Sequence, residues 1–244
     1  MNSLEEKRNI FNEIEEDKIN KLIEKDFDKD LINYSPNNFY LVNLKCNNCI
    51  VKILKDKENT LYQYIVNSKK NIFTLFTQTI RKIEYDENYN SNIPFYKNQD
   101  LFNLGRNNDI NLNEIYFIIS MRHNYRILKK LFPDEIPDAK FSLVYIEGFD
   151  MPEFAVFQKY INGKNLWGLY HNNIDEFKIK LNLPHIKEKM MSFINCKYID
   201  LNIKNFIIDN NDNIFYVDIK PTYLSYKKYN EINKKSLLKY IDKS

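Results

Sequence analysis

Apolar positions divide this chain into stretches of different period. Between Leu4 and Ile23 they fall at Leu4, Ile10, Phe11, Ile14, Ile19, Leu22 and Ile23 among charged neighbours, a spacing that predicts one or two amphipathic helices within residues 4–33. From Phe39 to about Ile83 the apolar runs become short, β-branched and aromatic. Phe39–Val42, Cys49–Leu54, Leu61–Val66 and the segment from Ile72 through Ile83 read as strands of a four- or five-stranded antiparallel sheet. Residues 86–113 are crowded with Asn and Asp and include Pro94 and Gly105, so they read as a long loop or insertion. Helical spacing returns at about Leu112, with Asn111 or Asn113 as cap, and runs to Leu131. Phe141–Ile146 and Glu153–Tyr160 follow as two more strands. Ile174–Ile194 is helical in pattern with a break near Pro184, and a short helix closes the chain.

The pattern carries chemistry near the C-terminal end. Phe206-Ile-Ile and Ile214-Phe-Tyr-Val flank Asp209-Asn-Asn-Asp-Asn213, two strand-forming runs around a turn of the residues that tolerate turn backbones. Folding that hairpin brings Asn205, at the start of the first strand, near Asp218, at the end of the second. An amide oxygen and a carboxylate at one sheet end make a hard-oxygen site suited to Mg²⁺, and Asp200 just upstream can face a substrate hydroxyl. The same letters also fit a capped loop followed by a hairpin whose last Asp is simply exposed.

Asp200, Asn205 and Asp218 stand in the order and at the intervals of the protein-kinase-like superfamily, which includes the aminoglycoside and choline phosphotransferases. The chain resembles that family in two places. Asp200 matches the catalytic-loop Asp of H-R-D-L-x-x-x-N, Asn205 the metal-binding Asn, and Asp218 the Asp of D-F-G. Phe154-Ala-Val-Phe-Gln-Lys-Tyr-Ile-Asn-Gly-Lys-Asn-Leu166 looks like the last strand of the small lobe, the hinge and the turn into the large lobe. The resemblance implies an α+β, two-lobed fold: an N-terminal helical segment (1–36), a lobe with an antiparallel sheet (37–161) and a reduced helical lobe (162–244). It implies ATP and Mg²⁺ as cofactors, with Gln158, Lys159 and Tyr160 as the hinge whose backbone is open to an adenine. The phosphate-contacting lysine it implies is Lys52, in Ile-Val-Lys-Ile-Leu, or Lys82.

Departures from the family pattern are as informative. No Gly precedes Gly105, so the glycine-rich phosphate lid is missing. The helix position that would carry the ion-pairing Glu falls near His123 or Asn124, leaving Glu114 as a more distant substitute. Tyr198 and Ile199 replace the His and Arg before the catalytic Asp, which removes the anchor for a phosphorylated activation loop. Ile219-Lys220-Pro221 replaces F-G, with a rigid proline where a glycine hinge is usual. The residues after Asp218 are too few for an activation segment and a large helical lobe, so a minimal kinase-like domain is expected. Three function classes therefore stand: an ATP-dependent phosphotransferase acting on a hydroxyl acceptor, a catalytically inactive pseudokinase-like module binding a nucleotide or protein, and an unrelated α+β interaction protein.

Composition narrows the partners. With 244 residues, 43% of them hydrophobic, the chain can bury a sizeable core, and its net charge of +3 is small. Basic and acidic residues alternate, so nucleic acid is not an expected partner; the expected partners are a nucleotide and a small-molecule or protein acceptor. No apolar run nears the ~18 residues of a membrane span, and the charged N-terminus is unlike a signal peptide, so a cytoplasmic location is expected. Of the three Cys, Cys46 and Cys49 are spaced C-x-x-C without a second pair, and Asn47-Asn48 between them reads as a turn rather than part of a metal site.

Overall fold

The computed structural model describes residues 8–23, 26, 40–45, 49–54, 98–110, 112–146, 152–219 and 227–241. Helices and strands coexist, and the fold is α+β. The chain divides into two compact units. The first takes its described residues from those up to Ile119 and from Asp138–Tyr160; the second takes them from Ser120–Pro137 and from Ile161 onward. Lys82 and the expected strands at Leu61–Val66 and Ile72–Ile83 lie outside the described residues. Among the described residues no helix is long and apolar enough to cross a membrane.

The first unit is built on a five-stranded sheet. In chain order its elements are a one-turn helix α1 (Ile10–Glu13), β1 (Ile19–Leu22), β2 (Tyr40–Lys45), β3 (Cys49–Leu54), helix α2 (Gln99–Asn107), the start of helix α3 (Leu112–Leu131), β4 (Ala139–Ile146) and β5 (Glu153–Lys159). The strands lie in the order β1-β4-β5-β3-β2. Strand β5 is central and reads as a continuous buried run from Phe154 to Gln158, as a strand covered on both faces must.

Two sequence expectations fail in this unit. Ile19–Leu22 is a strand, not helix, and it pairs parallel with β4, Ile19 opposite Leu143 and Leu22 opposite Ile146, so the sheet is mixed rather than antiparallel. Four residues are too few to display a strand period. Their state is set by the edge of β4 and by Asn20, whose amide donates to Ser142 Oγ at 3.0 Å while Ser142 Oγ donates to the Lys18 carbonyl at 2.7 Å. Gln99–Asn107, expected within a loop, is a helix. Its composition is poor for helix, but Leu101 and Gly105, four apart on one face, are both buried. Gly105 is small of necessity, since a Cβ there would lie 2.6 Å from Ile115 Cγ1.

The second unit is helical around a small sheet. After the latter part of α3 come β6 (Gly163–Asn165), α4 (Leu166–Asn172), α5 (Ile174–Leu181), α6 (Pro184–Ile194), a 3₁₀ turn (Ile203–Asn205), β7 (Phe206–Asp209), β8 (Ile214–Tyr216) and α7 (Lys227–Leu237). Pro184 opens α6, where its missing N–H costs nothing, and so separates two helices that share one apolar period. The expected hairpin forms: β7 and β8 pair antiparallel, Phe206 opposite Tyr216. Its turn is closed by Asp209, whose Oδ1 accepts from the Asn211 and Asn213 N–H groups, and Asp212 takes the left-handed backbone at φ 63°. The third strand, β6, comes from the segment read as a turn, with Gly163 opposite Asp209. The core joins Leu128, Phe132, Leu166, Phe177, Ile186, Phe193, Phe206 and Tyr216, among others, with Leu237 and Ile241 from the C-terminal end.

Candidate active site

Asp200 lies in a stretch that belongs to no helix or strand, between α6 and the 3₁₀ turn, and is buried together with Asn205 and Asp218. Local side chains shape this stretch. Asp200 Oδ1 accepts from the Asn202 N–H at 3.2 Å, and Asn202 Oδ1 in turn accepts from the Lys204 N–H at 3.0 Å. Two successive Asx turns thus fold Asp200–Asn205 into a compact bend. The bend is what brings a residue five positions on back to Asp200.

Asn205 then ties the bend to the hairpin. Its Nδ2 donates to the Asp200 carbonyl at 3.2 Å, and its own carbonyl accepts from the Val217 N–H at 2.9 Å. A carbonyl oxygen can only accept, so the amide nitrogen must face Asp200, which leaves Oδ1 as the atom for a cation. Asp218 follows Val217 directly. The three residues are therefore joined through one backbone neighbourhood at the end of the hairpin opposite its turn.

An amide oxygen and a carboxylate are the hard donors that Mg²⁺ takes, and this ion commonly binds through one or two protein ligands with phosphate and water filling the rest of its shell. The donor set fits. Among the described residues no group of three His, Cys, Asp or Glu is arranged to hold a metal, which bears little on a site completed by Asn and phosphate oxygens.

Of the remaining site candidates, Lys52, Glu114, Gln158, Lys159 and Tyr160 belong to the first unit, and His123 and Asn124 to the second. Lys52 is buried on β3, opposite Val156 of β5 and Asn43 of β2. Gln158 is buried opposite Ile50 and Ala139, and its Nε2 has no hydrogen-bond partner. A buried donor left unsatisfied costs about 1–3 kcal/mol. Lys159 departs from expectation: its N–H already donates to the Asp138 carbonyl at 2.8 Å, so that group is committed to the fold and not open to an adenine. Tyr160 is half-buried just after β5. Of the helix candidates on α3, Glu114 and His123 are half-buried and Asn124 is buried. Cys49 is buried on β3, and Cys46 lies outside the described residues.

Two side chains to which the sequence gives no role in the site hold the Asp200 segment. Tyr216 Oη accepts from the Asp200 N–H at 3.2 Å, and Asn230 of α7 bonds the backbone on both sides of Asp200. Neither carries a motif. Tyr216 reads as a strand aromatic and Asn230 as one polar residue in a polar helix, so no local signal marks them.

A polar cleft of about 150 Å³ lies elsewhere in the second unit, lined by Lys164, Glu176, Lys180, Asp209 and Asp212 with their neighbours. Its charges answer one another, Lys164 pairing Glu176 and Lys180 pairing Asp212. It adjoins the hairpin turn, at the opposite end from Asn205.

No family model matches the chain, and no curated protein matches it either.

Proposed function

We propose that the protein is an ATP-dependent phosphotransferase of kinase-like, two-lobed fold, moving the γ-phosphoryl group of ATP to a hydroxyl acceptor. The observation that carries this reading is the double tie of Asn205, to the Asp200 carbonyl and to the Val217 N–H. It ties the Asp200 bend to the end of the hairpin next to Asp218, and Asp200, Asn205 and Asp218 are buried and follow one another in the order this chemistry uses. Phosphoryl transfer asks little covalent chemistry of a protein, and positioning with electrostatic stabilisation supplies most of the rate.

Within that reading Asp200 orients the acceptor hydroxyl and takes its proton as the oxygen–phosphorus bond forms and the bond to ADP breaks. Asn205 Oδ1 and Asp218 would hold Mg²⁺, which would supply neutralisation of phosphate charge. The kinase-like resemblance assigns Lys52 to the phosphates, with Lys82 as the alternative. ATP and Mg²⁺ are the cofactors of this proposal.

Substitution separates the roles. Asp218→Ala is expected to abolish Mg²⁺-dependent ATP binding measured by calorimetry, because it removes the charged metal ligand. Asp200→Ala is expected to leave binding intact and to lower transfer by about 10²- to 10⁴-fold, the scale of a lost positioned base. ATP affinity that is indifferent to Mg²⁺ and to Asp218→Ala would sink the proposal.

The missing glycine lid favours a second reading, a pseudokinase-like module that binds nucleotide or protein without turnover. It predicts Mg²⁺-dependent binding with no phosphate release or transfer in the wild type, and no consequence of Asp200→Ala.

A further inference from the structure

The backbone around Asp200 makes no helix or ladder bonds, yet the four peptide groups nearest its Cα are all satisfied, and each by a side chain. The Asp200 N–H goes to Tyr216 Oη at 3.2 Å and its carbonyl to Asn205 Nδ2 at 3.2 Å. The groups on either side are both taken by Asn230: the Leu201 N–H donates to Asn230 Oδ1 at 2.9 Å, and Asn230 Nδ2 donates to the Ile199 carbonyl at 2.7 Å. These are the two shortest bonds of the four. Asn230 is half-buried in α7, about thirty residues further along the chain.

One amide grips a donor and an acceptor that bracket a single residue, and only a side chain presenting both functions can do so. A carboxylate of the same shape accepts from Leu201 but repels the Ile199 carbonyl, and a leucine does neither. Fixing the peptide planes before and after Asp200 fixes the direction of its Cα–Cβ bond, since the remaining backbone freedom is φ and ψ alone. Preorganisation of that direction matters most in a step that depends on placement.

We propose that Asn230 is a positioning residue for Asp200, and that α7 belongs to the catalytic apparatus through this amide clamp. The proposal rests on the phosphotransferase reading above. It assigns Asn230 no contact with substrate or metal; its effect passes through the orientation of Asp200.

Asn230→Leu and Asn230→Asp in the full chain test it. The readouts are amide exchange at Leu201, Mg²⁺-ATP affinity, and the kcat and KM of Mg²⁺-ATP hydrolysis with water as acceptor. In Asn230→Leu the Leu201 amide is expected to exchange at least ~10-fold faster while core amides of β7 and β8 keep their protection. ATP affinity and KM are expected to hold and kcat to fall by ~10- to 100-fold. Asn230→Asp is expected to keep Leu201 protected and to fall between the two in rate. Unchanged Leu201 exchange in Asn230→Leu, with a wild type that turns over, would overturn the clamp and leave the phosphotransferase reading standing. Loss of protection throughout the second unit would make Asn230 structural only and overturn the positioning role. A wild type that hydrolyses no ATP, with Leu201 selectively exposed by Asn230→Leu, overturns the catalytic role together with the phosphotransferase reading and leaves the loop clamp as a structural fact.

Discussion

Glu135 shows how one residue joins packing to charge in the second unit. Its carbonyl accepts from the Tyr216 N–H at 3.0 Å, its Oε1 pairs with Lys189 at 2.5 Å, and its Oε2 is buried without a partner. The hydrogen bond to Glu135 holds the Lys189 ammonium above the ordinary lysine range. Lys189→Met leaves the carboxylate unanswered and is expected to cost about 1–2 kcal/mol, toward the lower end for a buried unsatisfied group because the Lys189 side chain is 45% exposed. A lysine whose pKa is raised on folding contributes fully below its unfolded value, and the contribution is lost as pH rises through the folded one. The melting-temperature gap between wild type and Lys189→Met should therefore be present at pH 7 and close in strongly alkaline buffer; a constant gap would mean that the ion pair is not its source. Cys196 titrates upward for a different reason, burial, against bonds to Tyr198 and Ile199 that pull it down. Its thiolate is scarce at neutral pH, so iodoacetamide should modify it roughly tenfold or more slowly in the native protein than in urea.

At the scale of elements, the small sheet depends on one close approach. A Cβ on Gly163 would lie 2.3 Å from the Ile208 carbonyl oxygen and 2.8 Å from Asp209 Cα, both backbone atoms that cannot swing aside. Gly163→Ala must push β6 off β7 and is expected to cost at least about 1–3 kcal/mol, the scale of overpacking in a fixed core. Trp167, the one tryptophan of the chain, stands four residues later in α4 with Lys204 Nζ 4.6 Å from its ring centre. Its fluorescence should report the change as a lower urea midpoint, and an unshifted midpoint would show that the strands separate without penalty.

At the scale of the whole molecule, a line of rings runs through the second unit. Phe132 meets Phe193 at 4.8 Å between centroids, Phe193 meets Phe206 at 5.4 Å, and Phe206 meets Tyr216 at 5.4 Å. The last ring carries the hydroxyl that holds the Asp200 N–H. Phe193→Ala removes the middle of this line and is expected to cost about 3–5 kcal/mol, a large share of a typical domain's stability. Thermal unfolding followed at Trp167 should show it, whereas a loss under 1 kcal/mol would mean that the core closes over the gap.

Long periods and turn chemistry are legible in the sequence itself. The helix over Leu112–Leu131, the break at Pro184, the hairpin around Asp209–Asn213 and the closing helix each follow from a period sustained over many residues or from a residue with one backbone role. The order and spacing of Asp200, Asn205 and Asp218 around that hairpin were equally legible, since a hairpin's ends meet by construction. Ile19–Leu22 and Gln99–Asn107 were not. The first is too short to show a period and takes its state from the edge of β4; the second buries Leu101 and Gly105, with Ile115 and Phe154 closing on Gly105. The Lys159 N–H was likewise committed by Asp138, twenty-one positions earlier. What holds Asp200 in place was decided by tertiary structure alone, because Tyr216 and Asn230 reach it across 16 and about 30 residues and hydrogen-bond partners at such separations leave no local pattern.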